Sequence, residues 1–195
     1  MEENSIRAVI VGIPGVGKTT VIAEVQSNLY RRGLKSATAV FGTLMFQEAS
    51  KRLVKNRDEM RNLSIPTQKT LQEEAAKRIS EMNEDFIIID THLFIKSSDW
   101  YCPGVPLNVI QIIRPTHLLL IIADAEEIAA RRQTDNTRQR DLLSKEDIQH
   151  EIDLSKTMIA SLANLTGSPF AIIENNSNQA NKAAENIARL LVESR

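Results

Sequence analysis

One stretch constrains this chain more than any other: Val9-Ile10-Val11-Gly12-Ile13-Pro14-Gly15-Val16-Gly17-Lys18-Thr19-Thr20. An apolar run passes straight into a glycine-rich turn, and the turn opens a helix. The spacing G-x-x-x-x-G-K-T is that of a P-loop. Gly12, Gly15 and Gly17 allow backbone conformations that a Cβ would forbid, so successive N–H groups turn inward and cradle phosphate oxygens. The positive end of the helix that begins near Lys18 adds to this. Lys18 sets a point charge against the β- and γ-phosphates, and the Thr19 hydroxyl ligates Mg²⁺. The plainer alternative is a glycine-rich turn with no ligand. The strand before it and the helix after it argue for nucleotide binding.

Beyond the loop, the pattern alternates. Strands are expected at Ile6–Val11, Ala37–Phe41, Phe86–Asp90, Leu118–Ala123 and Phe170–Ile173. The first is continuously apolar, as a strand buried on both faces of a parallel sheet should be. Between them lie helical stripes, such as Val21, Ile22, Val25 and Leu29, or Leu71, Ala75, Ile79 and Met82. Ser144, with Asp147 in the capping-box position, opens a long helix that Gly167 ends. Five strands alternating with helices imply an α/β fold, a parallel sheet with helices on both faces. The 195 residues suit one domain over 1–195, with no repeat or linker to divide it.

Composition narrows the partners. A net charge of −1 gives no general basic field, so nucleic acid is not expected. The lone Cys102 rules out an intrachain disulfide framework and a four-cysteine zinc site. No apolar run approaches membrane-spanning length, and no secretory signal is recognisable, so a soluble cytoplasmic chain is expected.

Several residues could carry chemistry. Gly42-Thr43 follows the second strand and could hold a second phosphate or a nucleobase; an ordinary strand–helix turn is the alternative. Arg57 and Arg61 share a helix face four residues apart. They could clamp an acceptor phosphate through their planar forks, or be part of a solvated charged face with Asp58 and Glu59. Met60 points elsewhere, towards the core. Asp90 ends the third strand, where ligand crevices lie in such sheets, and there a carboxylate helps hold Mg²⁺. His92 reads as a structural histidine. Residues 96–106, with the single tryptophan Trp100, read as a loop. Arg131 and Arg132 end the helix Asp124–Gln133, and only one of two adjacent residues can face a given ligand squarely. Residues 134–143, with Arg138 and Arg140, are polar and unpatterned, in the manner of a short lid.

Taken together, these residues resemble the nucleoside monophosphate kinases, and most of all the archaeal, typically trimeric, type of adenylate kinase. The resemblance is carried by Gly12–Thr20, Phe41-Gly42-Thr43, Arg57-Asp58-Glu59-Met60-Arg61, Asp90-Thr91-His92, Pro103-Gly104-Val105-Pro106 and Thr137-Arg138-Gln139-Arg140-Asp141, in family order across almost the whole chain. It implies transfer of the ATP γ-phosphoryl group to AMP, giving two ADP, with Mg²⁺ as cofactor. It implies that ATP phosphates lie on Gly12–Thr20 and that AMP lies between Gly42-Thr43 and the Arg57/Arg61 helix, under a helical segment of about residues 43–83. Lys18, Arg132, Arg138 and Arg140 would surround the transferred group, Thr19 and Asp90 would hold the metal, and the chain would form a homotrimer. The segment Ser97-Ser98-Asp99-Trp100-Tyr101-Cys102 departs from the family pattern.

Such a reaction needs positioning and charge stabilisation rather than a covalent catalyst. Two other readings compete: a kinase for a different nucleoside monophosphate or a small alcohol, and a P-loop ATPase switch that binds a protein or ribonucleoprotein partner. No Asn-Lys-x-Asp guanine motif occurs.

Overall fold

The computed structural model describes residues 5–97, 100–134 and 144–195. Residues 135–143 of the expected lid, including Arg138 and Arg140, lie outside the described residues, as does the Arg61 side chain.

The chain begins with β1 (Ile6–Val11), α1 (Lys18–Arg31) and β2 (Ser36–Val40). Three helices follow, α2 (Phe41–Ser50), α3 (Arg57–Arg61) and α4 (Ile65–Ser80), before β3 (Phe86–Asp90). Next come β4 (Phe94–Ser97), β5 (Trp100–Pro103), α5 (Leu107–Ile113), β6 (His117–Ile122) and α6 (Ala125–Thr134). The chain closes with α7 (Lys145–Thr166), β7 (Phe170–Glu174) and α8 (Ala180–Glu193).

Five strands form one parallel sheet in the order β2-β3-β1-β6-β7. Right-handed crossovers then dictate the layers. The step from β1 to β2 runs opposite in direction to the steps β2 to β3, β3 to β6 and β6 to β7. This puts α1 on one face and the helices of the other crossovers on the other face. The contacts agree: α8 packs on α1, α5 on α4, and α6 on α7.

Burial explains why the central strands read so clearly. Val9 and Ile10 of β1 and Phe86 to Ile89 of β3 are fully buried, whereas the edge strand β7 leaves Phe170 and Ile172 exposed. The expected helix signals are present as structure. Ser144 and Asp147 form a reciprocal capping box on α7, and Gly167 ends it with φ 70°. The described residues include no helix long and apolar enough to cross a membrane.

Residues 96–106, expected as a loop, instead belong in large part to an antiparallel hairpin, with Phe94 opposite Pro103 and Ser97 opposite Trp100. Four-residue strands, the second ending in Cys-Pro, give little periodicity, and the hairpin is held by packing at its base. The Phe94 and Tyr101 rings meet edge to face at 5.1 Å. Gly104 passes so close to β3's extension that a Cβ there would come within 2.1 Å of the His92 carbonyl oxygen. The Gly104 N–H donates to the Leu93 carbonyl at 2.9 Å and closes the hairpin base.

Candidate active site

The loop after β1 is held from behind by side chains that come from far along the chain. Gly17 has φ 85° and forms the start of α1 with no side-chain cap, so the helix's first N–H groups are left to the cleft. A Cβ at Gly17 would come within 2.6 Å of Asn175 Nδ2. That nitrogen donates to the Val16 carbonyl at 2.7 Å. Arg131 Nη1 donates to the same carbonyl at 3.3 Å, while its Nη2 reaches Glu127 at 2.8 Å and the Asn175 carbonyl at 3.0 Å. Arg132 Nε donates to the Pro14 carbonyl at 2.9 Å. Its Nη2 lies 3.3 Å from Glu151 Oε2, and both side chains are 6% exposed.

Lys18 is buried under the loop. Its Nζ donates to the Gly12 carbonyl at 3.0 Å, sits 3.1 Å from His92 Nε2 and lies 3.9 Å from Asp90 Oδ1. Register puts Asp90 beside Ile10, so β3 delivers its carboxylate to the mouth of the loop that follows β1. Lysine, carboxylate and imidazole thus meet at the carboxyl ends of two central strands, where a switch in strand order opens a crevice.

That crevice is a cleft of about 430 Å³. One wall is the P-loop with Lys18 and Thr19; the other comes from α2, α3, α4 and the hairpin. Gly42 lies in the first turn of α2 with open space where its Cβ would be, so β2 passes into α2 with no separate glycine turn. Arg57 Nη2 donates to Thr43 Oγ1 at 2.8 Å, which joins two of the expected acceptor residues. Met60, expected to point to the core, lines the cleft because α3 is a short helix over open space. The second wall is tied down at the surface. Arg52 grips Glu74 at 2.8 and 2.6 Å, and Arg78 bridges Gln47 and Glu48. Lys51 also donates to Glu48 at 2.6 Å, and these bonds hold the Glu74 and Glu48 carboxyls below the usual range, through Arg52 for the first and Lys51 foremost for the second.

Most of the expected site residues therefore face one space: Ile13, Pro14, Gly15, Gly17, Lys18, Thr19, Gly42, Arg57 and Asp90 all line the cleft. Of the two adjacent arginines, Arg131 lines it, while Arg132 braces the P-loop from behind. Sequence reasoning passed over Asn175, Glu151, Gln68 and Gln72. The signal for Asn175 was there, a polar residue directly after an apolar strand. A signal for Glu151 was also there, an acid next to Ile152 on the inward stripe of α7.

Comparison with known proteins fits this geometry. A family model described as an AAA domain matches residues 11–149. The adenylate kinase of Methanocaldococcus jannaschii is 40% identical over 185 residues, covering 94% of this chain and 96% of that protein. The adenylate kinase of Thermoplasma acidophilum is 40% identical over 187 residues, covering 95% and 98%. The chain belongs to the adenylate kinase family. The adenylate kinase of Pyrococcus horikoshii is also similar, at 41% over 180 residues and about nine-tenths of each chain. Among solved structures, the shikimate kinase of Bacteroides thetaiotaomicron superposes with a TM-score of 0.57 at 14% identity, covering 96% of this chain and 98% of its own, a likeness of fold alone.

Proposed function

We propose that the cleft carries out the reaction of the adenylate kinase family, reversible transfer of the γ-phosphoryl group from ATP to AMP to give two ADP, with the following division of labour. ATP phosphates lie on the Gly12–Thr20 loop, and Lys18 carries charge against the transferred group. AMP lies along the opposite wall, with its phosphate held by Arg57 and Arg61 and its nucleoside beside Gly42 and Thr43. Arg138 and Arg140 approach from the lid. Arg132 acts by fixing the loop that receives the γ-phosphate, and Arg131 presents the cleft side of α6. The observation that carries this reading is the convergence of the P-loop, Lys18, Asp90 and Arg57 on one cleft. Arg57 touching Thr43 supports a single acceptor subsite.

The donor set fits Mg²⁺. Thr19 offers a hydroxyl and Asp90 a carboxylate in the same cleft, hard oxygens of the kind a metal that keeps waters and substrate oxygens prefers. The described residues contain no cluster of three or more His, Cys, Asp or Glu that would form a closed cage. Bound with ATP, the ion would neutralise charge on the β- and γ-oxygens. The family reading also extends to a homotrimer, and the lone Cys102 suits a reducing, cytoplasmic setting; sedimentation equilibrium at micromolar concentration tests the first and should give three protomer masses.

A coupled assay with ATP plus AMP, CMP, UMP or GMP tests the function. ADP should form only when an acceptor is present, and fastest with AMP. Steady ATP hydrolysis with no acceptor would overturn the reading in favour of an ATPase switch.

A further inference from the structure

We infer that Asn175 decides which way one peptide of the phosphate loop faces, and through that peptide turns the Gly17 N–H towards the phosphates. The inference rests on the seat given above to the ATP phosphates and deepens it, by assigning a positioning residue to a single hydrogen-bond donor.

The need for such a residue comes from the glycine. A trans peptide unit is planar, so its C=O and N–H point in opposite directions. Whatever turns the Val16 carbonyl to the rear of the loop therefore turns the Gly17 N–H to the front. Gly17 has φ 85°. Without a Cβ it moves between positive and negative φ at little cost. The freedom that lets its N–H face the cleft also lets the peptide turn over and present the Val16 carbonyl there instead. An oxygen at that place repels phosphate where an N–H binds it. Among the described residues, nothing accepts a hydrogen bond from the Gly17 N–H, so the plane is not held from the cleft side.

Asn175 holds it from the rear. Its Nδ2 lies 2.7 Å from the Val16 carbonyl oxygen, closer than Arg131 Nη1 at 3.3 Å. A carbonyl only accepts, so the amide nitrogen is the end that faces it. The side chain starts from a backbone bonded on both sides. The Asn175 N–H donates to the Ile122 carbonyl at 2.8 Å, and its own carbonyl accepts from Arg131 Nη2 at 3.0 Å. At 3% exposure, the residue meets little competition from water. A Cβ on Gly17 would stand 2.6 Å from the same Nδ2. The glycine thus gives the peptide its freedom and also the room for the amide that removes it.

The peptide two residues earlier supplies an internal comparison. Arg132 Nε holds the Pro14 carbonyl at 2.9 Å, and by the same geometry this sets the N–H of Gly15, at φ 94°. Two glycine donors therefore answer to two different side chains, one following β7 and one on α6.

The test follows the amide resonances of protein labelled with ¹⁵N at its seven glycines, titrated with tripolyphosphate and Mg²⁺. In the parent, the Gly15 and Gly17 amide protons should both move downfield as they bond to phosphate oxygens. Asn175→Asp puts an acceptor of the same shape where the donor was. Asn175→Leu removes the polar group without adding charge. In both variants Gly17 should lose its shift while Gly15 keeps it. The Kd for tripolyphosphate should rise about tenfold or more, as for the loss of one charge-assisted bond, with KM for AMP near the parent value. Loss of both shifts together would make Asn175 a general brace of the loop and overturn the inference. Retention of the Gly17 shift in either variant would overturn it as well. If the parent itself shows neither shift, the loop does not seat the phosphates and the inference falls with that reading; the failure then appears in the parent rather than in the variants.

Discussion

Arg132 and Glu151 form an ion pair behind the P-loop with both side chains 6% exposed. Arg52 and Glu74 form one on the opposite wall, doubly hydrogen bonded, with side chains 43% and 31% exposed. By distance alone the second is the better pair. By physics the first matters far more, because removing one partner strands a charge away from water, whereas an exposed pair exchanges its bonds for hydration. The same contrast runs through the two walls. The ATP wall grows out of the sheet and is fixed by Asn175, Arg131 and Arg132, which all bond to its backbone carbonyls. The acceptor wall is a cover of helices and a hairpin, tied on by surface bonds such as Arg52 to Glu74 and Gln72 to Pro103. A wall of the first kind is costly to deform; a wall of the second kind exchanges its bonds for hydration at small cost.

Substitutions can break this contrast. The largest effect is expected from Lys18→Ala, which should lower kcat by about 10³-fold or more while the far-ultraviolet circular dichroism stays native. Turnover near the parent value would remove Lys18 from the chemistry. Glu151→Ala should come next. It leaves Arg132 buried without its carboxylate and should cost about 3–5 kcal/mol, seen as a fall of roughly 10 °C in Tm. A Tm within about 2 °C of the parent would mean that the loop is not braced as described.

The acceptor wall should respond in binding rather than in folding. Arg57→Ala removes a charged contact that acts in ground state and transition state alike, so KM for AMP should rise about 10- to 100-fold with kcat little changed. Arg138→Ala, at a residue proposed above to act on the transferred group, should do the reverse and lower kcat. Kinetics with ATP and AMP varied separately will separate the two; a swap of these signatures would reverse the roles. Smaller still, Arg52→Ala should shift Tm by about 2 °C or less, which scanning calorimetry can compare directly with Glu151→Ala.

The smallest effect concerns His117, the first residue of β6, at the end of the sheet away from the cleft. Burial pushes its imidazole below the ordinary value. The folded state therefore resists a proton that the unfolded chain accepts. The stability gained by keeping the ring neutral is complete above the ordinary imidazole pKa of about 6.5 and is lost as the pH falls from there through the folded value. Urea titrations between pH 7 and 5 should show this slope, and His117→Gln should flatten it without altering either nucleotide's KM.

What the sequence made legible follows the same division. The ATP wall was readable because its parts are local. Strand, turn, lysine and helix follow one another within Val9–Thr20, and Asp90 ends an apolar strand whose burial on both faces leaves no ambiguity of period. The five strands were readable for that reason too. The hairpin was not, because β4 and β5 are four residues each and rest on the contact of Gly104 with His92 rather than on alternation. Helix spacing said that one of Arg131 and Arg132 would turn away, but not which. The answer depends on Glu151, in a helix whose distance from α6 no local pattern encodes. Met60 was misdirected because amphipathic spacing assumes that an apolar side chain seeks the core, and a cleft wall is equally able to use it.

Asn175 holds the Val16 carbonyl across 159 residues of sequence. The P-loop can be recognised within Gly12–Thr20, yet the side chain that fixes its backbone is translated 159 residues after Val16. At ribosomal speeds of about 5–20 residues per second, some 10–30 s separate the two. Over that interval a growing chain carries a recognisable phosphate loop without the amide that holds its Val16 carbonyl. Tight ATP binding by such a chain would mark the arrival of β7, so that capture on immobilised nucleotide reports chains that have grown past Asn175.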